Sequence, residues 1–244
     1  MAIQAVSGER TRKRTRRRMK HPWLRRVARV FVFLAAAVLL SILAFRFINP
    51  PLTPVMLVEK LKGATLRHEW VPLEDMSRQL PLAAISGEDG RFCAHWGVDW
   101  PAVKEAIEEG GGLGAFRGAS TIPMQTAKNL YLWNGRSYVR KILEVPLAYL
   151  MSALWPKARM MEVYLNVAQF GPGVFGAEAA SRYYFGKSAA ELTRRETILL
   201  VAALPNPRFR NPARPNRRML LVARAIERRL PIMIPRSVCL LPGP

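Results

Sequence analysis

Residues 83–129 read AAISGEDGRFCAHWGVDWPAVKEAIEEGGGLGAFRGASTIPMQTAKN, and the interpretation of the rest of the chain depends on this stretch. Two adjacent acids, Glu88 and Asp89, follow an apolar run and precede the aromatic Phe92. A glycine-rich loop at 110–114 then leads into a polar helix start. Acids close to aromatic residues, followed by a glycine-rich loop, are typical of a cleft that a mobile segment covers.

The segments around this stretch carry the sequence signals of helices. Asp99 predicts one helix N-terminus, and Ser120 or Thr121 predicts the next. Ser137 predicts the start of a long helix over 138–155, which Pro146 should kink. Further helices are expected at 157–166, 197–204 and 216–230, so the domain should be mostly α.

Basic residues at the two ends of the chain account for the formal net charge of +21. Eleven of the 38 Lys and Arg residues lie in 1–29 and nine lie in 205–244, which leaves the middle nearly neutral. Each basic residue near an anionic membrane surface contributes about 1 kcal/mol of attraction. Nucleic acid is the alternative partner of a basic run, but an apolar segment follows directly. We therefore predict a membrane partner and no nucleic acid.

Residues 30–45 form that apolar segment, VFVFLAAAVLLSILAF, which carries no charge between Arg29 and Arg46. Extended to 27–48, it reaches the roughly 20 residues that cross a bilayer as a helix. The alternatives are a signal peptide and a buried helix, and no small-residue cleavage site follows the segment. We favour an uncleaved anchor with its basic N-terminal side in the cytoplasm and the rest of the chain outside.

The length of 244 residues fits one globular domain plus this anchor. The predicted segments are a basic cytoplasmic tail (1–29), a transmembrane helix (30–48), a linker and membrane-proximal segment (49–80), a catalytic domain (81–230) and a C-terminal tail (231–244).

The two cysteines, Cys93 and Cys239, lie far apart in the sequence. Neither has a metal-ligand neighbour at the spacing of a zinc site. Two lone buried thiols are therefore favoured, and a disulfide between them stays open.

Several groups of residues resemble the signature motifs of the peptidoglycan glycosyltransferases, which polymerise the bacterial cell-wall glycan from lipid II. The first two are Glu88-Asp89-x-x-Phe92-x-x-His95-x-Gly97 and Gly118-x-Ser120-Thr121-Ile122-x-x-Gln125, followed by Lys128-Asn129. The third is Arg140-Lys141-x-x-Glu144, the fourth lies in 157–166, and the last ends at Pro207. Together they are similar to the monofunctional biosynthetic transglycosylases of this family. The resemblance implies a mostly α, lysozyme-like glycosyltransferase domain with one N-terminal transmembrane helix.

Glu88 is the candidate catalytic base. Inverting glycosyl transfer needs one base that receives the proton of the attacking hydroxyl. A glutamate that follows an apolar run and precedes Phe92 is partly desolvated, which should raise its pKa toward that role. Taken alone, Glu88 would more often be a solvated acid at a helix end, and the family motif favours the catalytic interpretation. Asp89 is placed with the substrate-binding residues as a supporting hydrogen-bond partner, and His95 is interpreted as structural.

Glu144 is the second catalytic candidate, and it lies four residues after Arg140 on one helix face. From the residues alone, this spacing describes an ordinary helical ion pair. The resemblance implies an essential acid near the donor diphosphate, acting through a divalent metal, Mg or Mn, that Glu144 would bind. No organic cofactor is expected.

The remaining candidates are substrate-binding residues. The resemblance implies that Lys128 and Arg136 bind the diphosphate, whose charge grows as it leaves the sugar. Ser120 and Gln125 are expected to bind sugar or phosphate oxygens, and Arg140 joins this set. Without the motifs, these cations would be interpreted as ordinary surface residues.

The implied activity is polymerisation of lipid II by an inverting attack of the acceptor 4-hydroxyl on a lipid-diphosphate-linked donor, with release of undecaprenyl diphosphate. No transpeptidase domain is expected. The implied partners are lipid II, the growing glycan strand, the membrane, and proteins of cell-wall synthesis or division. The implied location is the bacterial inner membrane, crossed once, with the catalytic domain on the periplasmic face.

Two alternatives stay open. A lysozyme-like hydrolase or lytic transglycosylase would also be helical and would also use a glutamate, but it would not need Lys128 and Arg136. A non-catalytic, membrane-anchored scaffold that binds lipid diphosphates would keep those cations and would not need Glu88.

Overall fold

The computed structural model describes residues 22–111, 119–135 and 137–240. Most of the predicted basic tail, together with Gly118 and the predicted site residue Arg136, lies outside the described residues. Helix α1, Pro22–Phe45, contains the predicted anchor. Its stretch Trp23–Phe45 has a mean hydropathy of 2.5 and, by length and composition, could cross a membrane once. The helix ends three residues before the predicted boundary, in a turn where the N–H groups of Phe47 and Ile48 both bond to Ala44.

The following elements are short and mostly helical, as predicted. In chain order they are α2 (Pro54–Leu61), β1 (Arg67–His68), α3 (Gln79–Glu88), α4 (Trp100–Ala106), α5 (Ile122–Tyr131), α6 (Tyr138–Leu154), α7 (Lys157–Val167), β2 (Gln169–Gly171), β3 (Val174–Phe175), α8 (Ala177–Phe185), α9 (Arg194–Ala203) and α10 (Arg217–Met233). Short 3-10 turns lie at Leu73–Asp75, Phe92–Ala94, Ala189–Glu191 and Pro235–Leu240, and one π turn at Ile107–Gly111 follows α4.

The predicted helix starts are formed by side chains that accept a backbone N–H of the first turn. Asp99 caps α4, Thr121 rather than Ser120 caps α5, and Ser137 caps α6. The spacing Thr193-x-x-Glu196 predicts a capping box at the start of the helix expected at 197–204, and the structure confirms it. Helix α9 begins directly after Thr193, three residues before the predicted bound. Helix α10 continues past its predicted end at residue 230, although Pro231 removes one backbone donor.

Two groups of helices build the domain. Helix α3 packs against α9 and α10, and α5 packs against α6 and α7. Side chains such as Ile85, Leu200 and Ile226 are buried in the first group, and Met124, Met151 and Tyr164 in the second. The C-terminus of α3 meets α5, so residues that the sequence separates by more than thirty positions lie side by side.

A three-stranded sheet attaches residues 67–68, in the segment predicted as linker and membrane-proximal, to the domain. Its strand order is β1-β3-β2, with β1 parallel and β2 antiparallel to β3. Next to it, the amide of Asn166 bonds in both directions to the backbone of Val71. Asn166 and Tyr164 are both fully buried, and Asn166 thus ties α7 to the chain segment around Val71.

The disulfide Cys93–Cys239 corrects the expectation of two lone thiols. The Cα atoms of the two residues lie 5.6 Å apart, although 146 positions separate them in the sequence. The bond joins the turn Phe92–Ala94, which begins three residues after Asp89, to the turn Pro235–Leu240 that follows α10. Sequence spacing carried no signal for this pairing, because it is the packing of α10 against α3 that brings the two turns together.

Candidate active site

Glu88 is the last residue of α3, and the packing of that helix determines where its side chain lies. A Cβ atom on Gly87 would lie 2.8 Å from a methyl group of Val201 and 3.2 Å from one of Ile226. The absent side chain therefore lets α3 approach α9 and α10 closely. The hydroxyl of Ser86 donates to the carbonyl of Ile226 at 2.9 Å, which fixes the last turn of α3.

The carboxylate of Glu88 is half-buried and accepts a hydrogen bond of 2.8 Å from the side-chain amide of Gln125 on α5. Burial raises the pKa of Glu88 above its ordinary value, because a charged carboxylate loses solvation there. The hydrogen bond from Gln125 and the charges of Lys128 and Arg210 lower that pKa in part. The result is a carboxylate with raised proton affinity beside open space, which suits a general base.

The carboxylate of Asp89 forms its hydrogen bonds within the protein. This carboxylate lies 2.8 Å from Nε2 of His95 and accepts the backbone N–H of Ile122 at 2.9 Å. The side chain is almost fully buried. This geometry favours the supporting role over a substrate contact, because Asp89 ties the turn after α3 to the start of α5.

Glu144 is 2% exposed and lies in the first half of α6. It forms ion pairs with Arg140 and Lys141, the latter at 3.0 Å. Lys141 also donates to the hydroxyl of Ser120, so this network links α6 to the residues just before α5. Glu144 holds two cations in place, and a buried acid is tolerated there because both its oxygens are paired.

Lys128 differs from these paired cations. Within the described part of the chain, its ammonium makes no hydrogen bond or ion pair. Burial lowers the pKa of Lys128, and the charges of Glu144 and Glu88 raise it in part. A half-buried cation that these residues leave without a partner is able to bind an anion, since an ion pair would offset its lost solvation.

A cavity of about 470 Å³, here called the central cavity, brings these side chains together. It contains six of the eight predicted site residues; Asp89 lines a neighbouring cavity and Arg136 lies outside the described residues. Lys141 also lines the cavity although it was not predicted; its signal was the spacing of three residues to Glu144. The predicted residues that line the cavity are Glu88, Ser120, Gln125, Lys128, Arg140 and Glu144.

The side chains around Glu144 do not suit a divalent metal. Both carboxylate oxygens of Glu144 are taken by Arg140 and Lys141, and Lys128 adds a third positive charge nearby. Hard cations prefer several oxygen ligands. The described residues contain no group of three His, Cys, Asp or Glu side chains that could hold a metal. The expected Mg or Mn stays a prediction.

Comparison with known proteins places this geometry in a family context. Residues 56–230 match the family model described as "Transglycosylase". The chain is 46% identical over 211 residues to a "Biosynthetic peptidoglycan transglycosylase" of Rhodospirillum centenum, an alignment that covers 86% of this chain and 91% of the relative. It is 45% identical over 212 residues to the protein of the same name from Brucella suis, with coverage of 85% and 94%. The corresponding protein of Agrobacterium fabrum is 47% identical over 191 residues, with coverage of 78% and 84%.

Proposed function

The chain belongs to the transglycosylase family, and from this premise we propose that it polymerises lipid II into the glycan strands of peptidoglycan. The observation that carries the proposal is the central cavity, where a base candidate with raised proton affinity faces a cation that the described residues leave unpaired. Glu88 lines this cavity together with Lys128, Arg140 and Lys141.

In the proposed reaction, Glu88 accepts the proton of the acceptor 4-hydroxyl while that oxygen attacks the anomeric carbon of the donor sugar. The bond between this carbon and the phosphate oxygen breaks, and its electron pair leaves with undecaprenyl diphosphate. Attack from the face opposite the leaving group inverts the configuration. The proton then passes from Glu88 to solvent.

The cations of the cavity stabilise the leaving group. Negative charge increases on the diphosphate as the bond breaks, and fixed charges in a partly dry site stabilise it without reorganisation. Lys128 contacts the diphosphate, while Glu144 holds Arg140 and Lys141 in their positions. Glu144 thus acts by positioning cations in this proposal. Gln125 aligns the base, and Ser120 is held by Lys141 at the cavity wall.

We further propose that α1 anchors the protein once in the bacterial inner membrane with the domain on the periplasmic face. The apolar helix and the preceding basic residues support this topology. The disulfide supports it independently, because disulfides persist in oxidising compartments such as the periplasm. Lipid II, the growing strand and cell-wall synthesis or division proteins are the proposed partners.

Purified full-length protein in detergent, given labelled lipid II, tests the proposal on a gel that resolves glycan length. We expect a ladder of lipid-linked glycans. Parallel reactions with Mg, Mn or a chelator test the metal prediction. Cleavage of preformed glycan without consumption of lipid II would instead identify a hydrolase or lytic enzyme, and binding of lipid II without turnover would identify a scaffold.

A further inference from the structure

A second cavity, here called the outer cavity, adjoins the central cavity and is not used by the mechanism above. Its volume is also about 470 Å³. The two cavities share Gly87, Glu88 and Ser120, so the base candidate borders both. One wall of the outer cavity is the end of α10 and the turn after it, which contribute Arg229 and Arg236.

The outer cavity is lined by two arginines, Arg229 and Arg236, and by three acids, Glu88, Asp89 and Asp99. Asp99 is paired with Arg91 through two contacts of 2.8 Å, and Asp89 is engaged by His95 and Ile122. The two acids that line this cavity beside Glu88 are therefore already satisfied by the protein. Arg229 and Arg236 are exposed and, among the described residues, make no ion pair or hydrogen bond through their side chains.

The wall that carries the two arginines is held firmly against the site. The disulfide joins Cys239, three residues after Arg236, to the turn that follows the catalytic motif. The hydroxyl of Ser86 bonds to Ile226, three residues before Arg229. Both arginines thus project from a segment whose two ends are tied to the immediate surroundings of Glu88. Such a fixed segment reduces the entropy lost when a ligand binds.

We propose that Arg229 and Arg236 recognise an anionic group of the acceptor lipid II and so guide its 4-hydroxyl to Glu88. This inference rests on the proposed function. The three cations of the central cavity serve the donor diphosphate, so an acceptor must reach Glu88 through the other space that this residue borders. An acceptor brings a diphosphate and the carboxylates of its stem peptide, and a guanidinium forms paired hydrogen bonds with either.

The test uses full-length protein with a lipid-linked tetrasaccharide as saturating donor and lipid II as the varied acceptor. The double variant Arg229→Gln/Arg236→Gln is compared with Arg224→Gln/Arg228→Gln, which removes the same charge from exposed positions of α10 outside the cavity. We expect the first pair to raise KM for lipid II about tenfold or more, with kcat within about twofold of wild type. The second pair should leave KM within about twofold. Equal KM values for the two double variants would overturn the inference.

Two acceptors distinguish the sources of the anion. The first acceptor is lipid II, and the second is lipid II that lacks the stem peptide. If the double variant raises KM for the first acceptor but not for the second, the arginines bind the carboxylates of the peptide. If the double variant raises KM for both acceptors, the arginines bind the diphosphate. If all variants polymerise lipid II with wild-type KM, only this inference fails; if wild type does not polymerise lipid II at all, the proposed function fails with it.

Discussion

The side-chain amide of Gln125 donates a hydrogen bond of 2.8 Å to Oε2 of Glu88, across the junction of α5 and α3. This bond favours the ionised carboxylate and so lowers the pKa of Glu88. Burial raises that pKa, and the effect of burial is the larger of the two. A base works only when deprotonated, so activity should fall on the acid side as Glu88 takes up a proton.

Gln125→Leu removes that hydrogen bond. The pKa of Glu88 should then rise further, and the acid limb of kcat/KM for lipid II should move to higher pH. A pH profile measures the shift, with Gln79→Leu at the opposite end of α3 as the control. An acid limb that stays in place, or moves to lower pH, would contradict the assignment of this limb to Glu88.

Glu88→Gln keeps the size of the side chain but removes its ability to accept a proton. We expect polymerisation to fall by about 10²–10⁴-fold, the usual contribution of a general base. Donor binding should survive, because the cations of the central cavity remain. Single-turnover rates and donor affinity check this, with the exposed Glu227→Gln as control. Near wild-type turnover of Glu88→Gln would refute the mechanism.

Lys128→Met removes the cation that has no partner in the described ranges and keeps much of its apolar stem. Since this charge meets the diphosphate both when bound and when leaving, donor affinity and rate should both decrease. A loss of about 10²–10³ in rate is typical for one stabilising donor. Lys104→Met, at a solvent-exposed ion pair on α4, is the matched control. A variant with normal donor affinity would show that Lys128 does not bind the diphosphate.

Gly97→Ala should destabilise the domain by about 2 kcal/mol. Gly97 has φ of +94°, and a Cβ there would lie 2.9 Å from the backbone of Ala148 on α6. Two causes contribute to this loss, the positive φ and the close approach of α6. Gly63→Ala tests the first alone, because Gly63 has φ of +86° but a Cβ added to it would meet no atom within 4 Å. Thermal or denaturant unfolding of both variants measures the difference. Equal losses would mean that the approach of α6 contributes nothing.

Removing the disulfide, by Cys93→Ala/Cys239→Ala or by a reductant, should lower the free energy of unfolding by about 2–4 kcal/mol. The melting temperature of the double variant should not change when reductant is added. The variant therefore controls for effects of the reductant other than cleavage of the disulfide. A wild-type melting temperature that is unchanged by complete reduction would contradict a stabilising role.

Helix starts were predictable from sequence because a cap is a local interaction between residues two or three positions apart. Asp99, Thr121 and Ser137 illustrate this, since each side chain accepts an N–H from the first turn of its own helix. The helical pair of Arg140 and Glu144 was predictable for the same reason.

Contacts between distant segments could not be predicted in this way. Lys157 donates to the carbonyl groups of Phe92 and His95, and so holds the turn after Glu88 from a position more than sixty residues away. Arg210 influences Glu88 although it follows α9 in the chain. These partners are chosen by tertiary packing, which leaves no periodic or spacing signal in the sequence. The same holds for Cys93 and Cys239.

The covalent link between the catalytic motif and the end of the fold has a consequence for biogenesis. In the proposed topology, in which the N-terminal anchor is inserted first, Cys93 would reach the oxidising side before Cys239, which follows by 146 positions. In that topology the disulfide can form only after α10 and Cys239 have also crossed the membrane. The bond would therefore form only in a chain whose last helix has crossed the membrane and packed against the domain. A prematurely terminated product that lacks Cys239 would keep a free thiol at Cys93 and would differ chemically from the complete chain.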